Sequence, residues 1–310
     1  MGAAKAKPKA RFSLTGMLVP LVSLGVLFVC WRQDLKWMTI PVVVFLAFYY
    51  LILPRLVRAR LVKFHRDALK LLTTGHAKEV PRLVRRNIIL QLFGPRGPLD
   101  AKLGLAYAAS EEFARAIPCF ESGIQSATPE EKPALQVGLA KALFVSGELA
   151  RAETEGRAVF DRGIRLPELL VVVARSRVGL GKNDDTTRAM LNDAEQLSPD
   201  PDVQLMVDLT RIEMRLATGR KPGEIPQGAD SSTRFIRAWI HLVRGLLRDR
   251  RGSRETARES YSKATQLGGG SFVKALAREH LTEHQSDSQV AGDSASTRDP
   301  AVQRKRKKRR

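Results

Sequence analysis

Two long apolar runs without any charged residue lie near the N-terminus, at residues 14–31 and 37–53. An α-helix rises 1.5 Å per residue, so each run approaches the ~30 Å thickness of a bilayer's hydrocarbon core. Only a short polar segment, residues 32–36, separates them. The pattern predicts a hairpin of two transmembrane helices over residues 13–54. A single anchored span and a cleaved signal peptide are the alternatives, although no small-residue cleavage site follows the first run.

Basic residues flank the two runs on their outer sides. Residues 1–12 are basic, and Arg55, Arg58 and Arg60 follow the second run, whereas the loop holds only Arg32 and Lys36. Because positive charge stays on the cytoplasmic side, both termini are expected in the cytoplasm and the protein in the inner cell membrane as a multi-pass protein.

Residues 55–96 form a basic neck in which apolar residues recur among lysines and arginines. Ten Lys/Arg lie between Arg55 and Arg86, opposed by only Asp67 and Glu79. Such a pattern favours a helix that lies on an anionic membrane surface, where each basic residue contributes about 1 kcal/mol. The alternative is a solvated helix that leads into the next region.

Residues 97–284 carry a repeating helical pattern. In its clearest copy, small residues such as Gly104 and Ala116 allow two helices to approach, and Leu103, Tyr107 and Phe120 fill the space around them. The small residue that opens the second helix recurs at Ala116, Ala152, Thr187 and Ala257, in steps of 36, 35 and 70 residues. A degenerate copy near residue 222 accounts for the double step, since Pro222, Gly223, Pro226 and Gly228 interrupt its second helix.

These residues resemble the tetratricopeptide pattern of Leu-Gly-x-x-Tyr, then Ala-x-x-x-Phe, then Pro. Asp100 departs from it where Trp is usual, and Gly156 stands where the second copy should have a large ring, which predicts loose packing there. The resemblance implies an all-α fold: a helical hairpin followed by an α-solenoid of helix-turn-helix repeats, as in membrane-anchored bacterial tetratricopeptide proteins. The residues expected to pack the repeats are Leu103, Gly104, Tyr107, Ala116, Phe120, Leu139, Ala140, Ala152, Ala257 and Tyr261.

The resemblance also implies a concave groove, lined by the first helices, that binds peptides or helices. The corresponding residues are Ala101, Leu105, Ala108, Val137, Lys141 and Phe144. Apart from Lys141 they lack the carboxylate clamp of some family members, so an amphipathic helix of an unknown protein partner is the favoured ligand. Alternatively, the chain's own neck or last helix covers the groove.

Charge adds a second hypothesis. The net charge is +20, and the excess lies in the neck and in a disordered basic tail, residues 285–310, which ends in seven consecutive Lys/Arg. The neck and tail could tether the protein electrostatically to nucleic acid or ribosomes at the membrane, although nucleic acid is not the favoured partner. The scaffold hypothesis, with an anionic membrane surface as a further partner, is preferred.

Catalysis is not expected. Cys30 and Cys119 cannot form a disulfide framework, and no phosphate-binding glycine loop occurs. His280 and His284 fit an inverted zinc-protease motif, H-x-x-E-H, but no downstream helix is available for a third ligand. The sequence therefore predicts neither enzyme activity nor a cofactor or metal.

Overall fold

A computed structural model of the chain describes residues 36–225 and 233–296, together with Gly25, Phe28 and Arg32. Within these residues every regular element is helical and no strand occurs, which confirms the all-α fold class. The first predicted span, residues 14–31, lies outside the described residues except for Gly25 and Phe28. The C-terminal basic run at residues 304–310 lies outside them as well.

The helices follow one another with short connections. Their bounds are α1 (Lys36–Ala47), α2 (Leu53–Thr73), α3 (Val80–Arg85), α4 (Ile88–Phe93), α5 (Arg96–Ala109), α6 (Phe113–Ser126), α7 (Lys132–Ser146), α8 (Leu149–Phe160), α9 (Pro167–Gly179), α10 (Asp185–Leu197), α11 (Pro201–Ala217), α12 (Arg234–Arg250), α13 (Arg254–Leu267) and α14 (Phe272–Ser296). The last helix extends past residue 284 into the segment that the sequence predicted as a disordered tail.

Helix α1 continues through a π-helical turn, Phe48–Ile52, directly into α2. The stretch Ile40–Thr73 is long and apolar enough, by length and composition, to cross a membrane. The second predicted run, residues 37–53, thus falls in a helix that meets this requirement. A membrane hairpin and the placement of the termini remain predictions.

Contacts divide the chain into two compact units. The first is Met1–Ser110 with Ser122–Lys132, and the second is Glu111–Glu121 with Pro133–Arg310.

The core of the first unit forms where α2 packs against α3, α4 and α5. Phe64 and Ala68 of α2 are buried with Val80, Leu90 and Leu99. Six other apolar residues of the neck pack against this core: Val57, Leu61, Leu71, Leu72, Leu83 and Val84. Much of the neck's apolar stripe therefore serves the core of its own unit. Its basic side chains face solvent instead: Arg55, Arg58, Arg60, Lys63, Arg66 and Lys70.

The second unit contains consecutive antiparallel helices whose first members begin at regular intervals. Helices α7, α9, α11 and α12 start at residues 132, 167, 201 and 234. Close approach depends on glycine at the crossings: a Cβ on Gly245 of α12 would lie 2.3 Å from the ring of Tyr261 in α13. At Gly156 the prediction of loose packing is wrong, because Val173 of α9 occupies the space and a Cβ would come within 2.3 Å of it.

A residue with positive φ recurs in the turns that precede second helices. Gly147, Gly181 and Gly252 have φ of 91°, 77° and 77°, and Glu111, before α6, has φ of 61°. Glycine enters this left-handed region without a steric penalty, so the three glycines allow the tight reversal between paired helices. Glu111 is the exception among the described residues, as the only non-glycine residue there with positive φ.

Candidate binding groove

A groove of about 240 Å³ opens within the second unit between helices α7, α9, α11 and α12. The residues that line the groove are Lys141, Phe144, Val145, Glu168, Val172, Asp200, Asp202, Val203, Met206, Thr233, Phe235 and Ile236. Its floor is apolar, and polar residues surround it.

The polar rim carries more negative than positive charge. Lys141 of α7 forms an ion pair with Glu168 of α9 across the groove, and burial lowers the pKa of the Lys141 ammonium. The Asp200 side chain accepts a hydrogen bond from the backbone N–H of Asp202 at 2.9 Å and so caps α11. Because Lys141 is neutralised by Glu168, Asp200 and Asp202 leave this rim acidic, which favours a ligand with basic side chains.

Four aromatic rings meet at the groove, two of which, Phe144 and Phe235, line it. Five ring pairs among Phe144, Phe235, Trp239 and Phe272 have centroids 5.3 to 6.1 Å apart, within the range of favourable aromatic contacts. Phe144 is only 2 % exposed. Phe272 begins α14, so the last helix contributes one ring to the cluster that supports the groove floor.

A buried ion pair adjoins this aromatic cluster. Arg175 of α9 pairs with Glu213 of α11, and both side chains are less than 9 % exposed. Trp239 donates its indole N–H to Glu213 at 2.8 Å. The Arg175 guanidinium lies 5.7 Å from the centre of the Trp239 ring and 5.1 Å from that of Phe272. Burial raises the pKa of the Glu213 carboxyl, against the opposing effects of Arg175 and Trp239.

A second polar network connects α8, α9 and α10. Arg177 of α9 donates hydrogen bonds to Glu153 at 2.8 Å and to Thr187 at 2.9 Å, and it also pairs with Asp184. Lys182 binds the second oxygen of Glu153 at 2.7 Å. Burial opposes ionisation of Glu153, but Lys182 and Arg177 outweigh it, so the pKa of this carboxyl is below its ordinary value. The network holds the helix that supplies Val172 to the groove.

The predicted groove residues fall into both units. Leu105 of the first unit is exposed, and Ala101 and Ala108 are half-buried. In the second unit Lys141 and Phe144 line the groove, and Val137 is half-buried. That these residues contact a ligand stays a prediction.

The predicted repeat-packing residues are mostly buried. Leu103 and Tyr107 are half-buried. The remaining eight are at most 2 % exposed or fall in the buried class: Gly104, Ala116, Phe120, Leu139, Ala140, Ala152, Ala257 and Tyr261.

The two histidines of the zinc-like motif have separate acidic neighbours. His280 lies 3.1 Å from Glu283, whereas His284 lies 2.9 Å from Asp249, which also accepts the hydroxyl of Tyr261. Across residues 36–225 and 233–296, no group of three or more His, Cys, Asp or Glu side chains is placed to hold a metal ion.

Several side-chain groups near the groove were not predicted from the sequence. Neither the Arg175–Glu213 pair nor the ring cluster of Phe235, Trp239 and Phe272 was predicted. One signal was present: α9 carries Arg175 and Arg177 within a nearly continuous apolar run, and buried arginines need acidic partners. Sequence alone does not reveal which acid, because Glu213 lies 38 residues away.

Comparison with known proteins returned no match to a family model, to a curated protein or to a solved structure. The functional argument therefore depends on the geometry of this chain.

Proposed function

We propose that the protein is a membrane-anchored scaffold of tetratricopeptide-like helix pairs, arranged as an α-solenoid, that recruits a protein partner at the cytoplasmic face of the membrane. The groove between α7, α9, α11 and α12 receives an amphipathic helix of that partner. The observation that carries the proposal is this groove: an apolar floor lined by successive first helices, with an acidic rim.

The regular helix spacing supports the repeat assignment. First helices recur at intervals close to the 34-residue period of tetratricopeptide repeats, and a left-handed residue precedes α6, α8, α10 and α13. Helix pairs of this kind cannot bury their apolar faces alone, so stacking is the expected arrangement.

The composition of the groove supports an amphipathic helix as the ligand. Met206, Val145 and Phe235 offer partly exposed apolar surface, and methionine adapts to varied apolar ligands. Apolar residues at i, i+3, i+4 and i+7 of a partner helix would contact them, while its basic residues would face Asp200 and Asp202.

The anchor is supported by Ile40–Thr73, the stretch able to cross a membrane. Basic residues on its C-terminal half favour a cytoplasmic location for the helices that follow. Under this proposal residues 14–31 form the other span, which comes first in the chain, and both termini are cytoplasmic.

The proposal can be tested by photo-crosslinking from the groove in native membranes. A photoreactive residue at Met206, followed by mass spectrometry, should identify a partner, and Val145→Glu should abolish that crosslink by placing a charge on the apolar floor. Leu197→Glu is the matched control, because Leu197 is 53 % exposed on α10 outside the groove. Equal crosslinking in all three proteins would contradict the proposal.

An electrostatic tether is the second candidate function. The observation in its favour is the exposure of six basic side chains along α2, which leaves them available to a polyanion such as nucleic acid or a ribosome. This function predicts binding that falls steeply with added salt and weakens when residues 304–310 are removed. Binding that is independent of salt would exclude it.

A further inference from the structure

A second pocket, of about 490 Å³, lies in the first unit beside the π-helical turn. Phe93 and Pro95, which precede α5, supply one wall of the pocket. The continuous helix formed by the π turn and α2 supplies the other wall. The lining residues are Tyr49, Tyr50, Leu53, Pro54, Val57, Arg58, Leu61, Phe93 and Pro95. This volume lies within the range of small-molecule sites in proteins.

The position of the pocket along the long helix places it near one end of the apolar stretch. Tyr49 and Tyr50 lie in the π turn with their rings 5.3 Å apart, and Arg55 and Arg58 follow five and eight residues after Tyr50. Tyrosine concentrates at the headgroup depth of a bilayer, and basic residues mark its cytoplasmic surface. A helix that crosses the membrane through residues 37–53 therefore brings this pocket to the lipid–water boundary.

Helix α4 presents an unpartnered apolar face next to this pocket. Ile88, Leu92 and Phe93 are 67, 69 and 48 % exposed, although Leu90 of the same helix is buried in the core. Phe93 also lines the pocket, so α4 ends at the level of the two tyrosines. Large apolar side chains exposed in this way are typical of segments that lie in the interfacial region of a bilayer.

The residues that line the pocket favour a ligand with one anionic group and an apolar part. Of its lining residues, Arg58 alone carries a charge, and the other side chains are aromatic or apolar. A guanidinium beside an apolar cavity matches a phosphate attached to an acyl chain, since arginine binds phosphate oxygens in a bidentate manner.

We propose that this pocket binds one anionic phospholipid of the surrounding bilayer, with its phosphate on Arg58 and an acyl chain between the tyrosines and Phe93. The inference rests on the membrane anchor of the proposed function and adds a specific lipid site to it. A bound lipid would fill the gap between the long helix and α4.

The test counts lipids that the full-length protein retains from detergent micelles, by native mass spectrometry, with phosphatidylglycerol or phosphatidylcholine as the added lipid. The wild type should retain one phosphatidylglycerol in preference to phosphatidylcholine. Arg58→Gln should weaken that retention about fivefold, the equivalent of the ~1 kcal/mol of one basic residue near an anionic surface. Arg60→Gln is the matched control, because Arg60 is exposed on the same helix and does not line the pocket.

Each result supports or overturns the site. Equal losses in the Arg58 and Arg60 variants would show a diffuse charge effect and overturn the pocket, as would equal retention of the two lipids. Val57→Trp, which should fill the cavity, is expected to reduce retention without removing charge; unchanged retention would also overturn the proposal. Failure of the anchor itself is distinguishable, because the wild-type protein would then remain soluble and monodisperse without detergent.

Discussion

Trp239 donates its indole N–H to the carboxylate of Glu213 at 2.8 Å, and both side chains are buried. Arg175 pairs with the same carboxylate and lies over the Trp239 ring. One acid on α11 thus joins α9 and α12. Because α9, α11 and α12 all line the groove, this buried contact sets the relation between three of its four walls.

Removing Arg175 should strongly destabilise the second unit. Arg175→Met leaves the Glu213 charge buried without its cation, which typically costs about 3–5 kcal/mol of unfolding free energy. The double variant with Glu213→Leu should recover most of that loss. Arg188→Met, which breaks an exposed pair with Asp185, should cost less than about 1 kcal/mol. Urea unfolding of the full chain in detergent measures all three; an Arg175→Met variant as stable as the wild type would contradict the expectation.

Glu111 should be replaceable by glycine more favourably than by alanine. Its φ of 61° places a Cβ in the left-handed region, at a cost of about 1–2 kcal/mol that glycine avoids and that the entropy of the unfolded chain partly offsets. Both substitutions remove the 3.8 Å contact with Arg234 equally. We expect the free energy of unfolding, obtained from thermal unfolding, to be roughly 1 kcal/mol larger for Glu111→Gly than for Glu111→Ala. The reverse order would indicate that this turn is not strained.

Gly245→Ala should disrupt the crossing of α12 and α13. The added Cβ would lie 2.3 to 2.8 Å from the Tyr261 ring, and overpacking of this kind costs about 1–3 kcal/mol. Glu255→Ala, at an exposed position of α13, changes volume without a clash and serves as the control. Thermal unfolding followed by circular dichroism compares the two; a stable Gly245→Ala protein would show that the helices can separate freely.

Glu153 should contribute a pH-dependent part of the stability. Because its pKa in the folded chain lies below the ordinary value of 4.5, its contribution is complete above that pH and is lost as the pH falls through the folded pKa. Glu153→Gln also leaves Arg177 buried with one acid fewer, so the variant should be less stable at neutral pH. The difference in unfolding free energy between the wild type and Glu153→Gln should become smaller below about pH 4.5. A constant difference across that range would refute the assignment.

Helix α4 should contact lipid through Leu92. A polarity-sensitive fluorophore on Leu92→Cys, with Cys30 and Cys119 replaced by serine, should shift to shorter wavelength when the full chain is reconstituted into vesicles. The same label on Arg86→Cys, an exposed position just before α4, should shift much less because it remains in water. Identical emission from both sites would place α4 away from the bilayer.

Predictability differed between local and distant features. Helices α5 and α6 were predictable because Gly104, Ala116 and Phe120 follow a helical period within their own segments. Loose packing at Gly156 was predicted wrongly, because the space left by the missing side chain is occupied by Val173 from the next pair. A local pattern does not show which neighbour fills a gap.

The sequence by itself determined the all-helical class and the apolar stretch that can cross a membrane, because both depend on periodicity and composition within a single segment. The tertiary structure decided the partner of Arg175, the aromatic cluster around Phe144 and the packing of much of the neck's apolar stripe into a core. It also decided that Ile88, Leu92 and Phe93 remain exposed. These features depend on which surfaces meet, and burial free energy is set by contacts between segments distant in the chain.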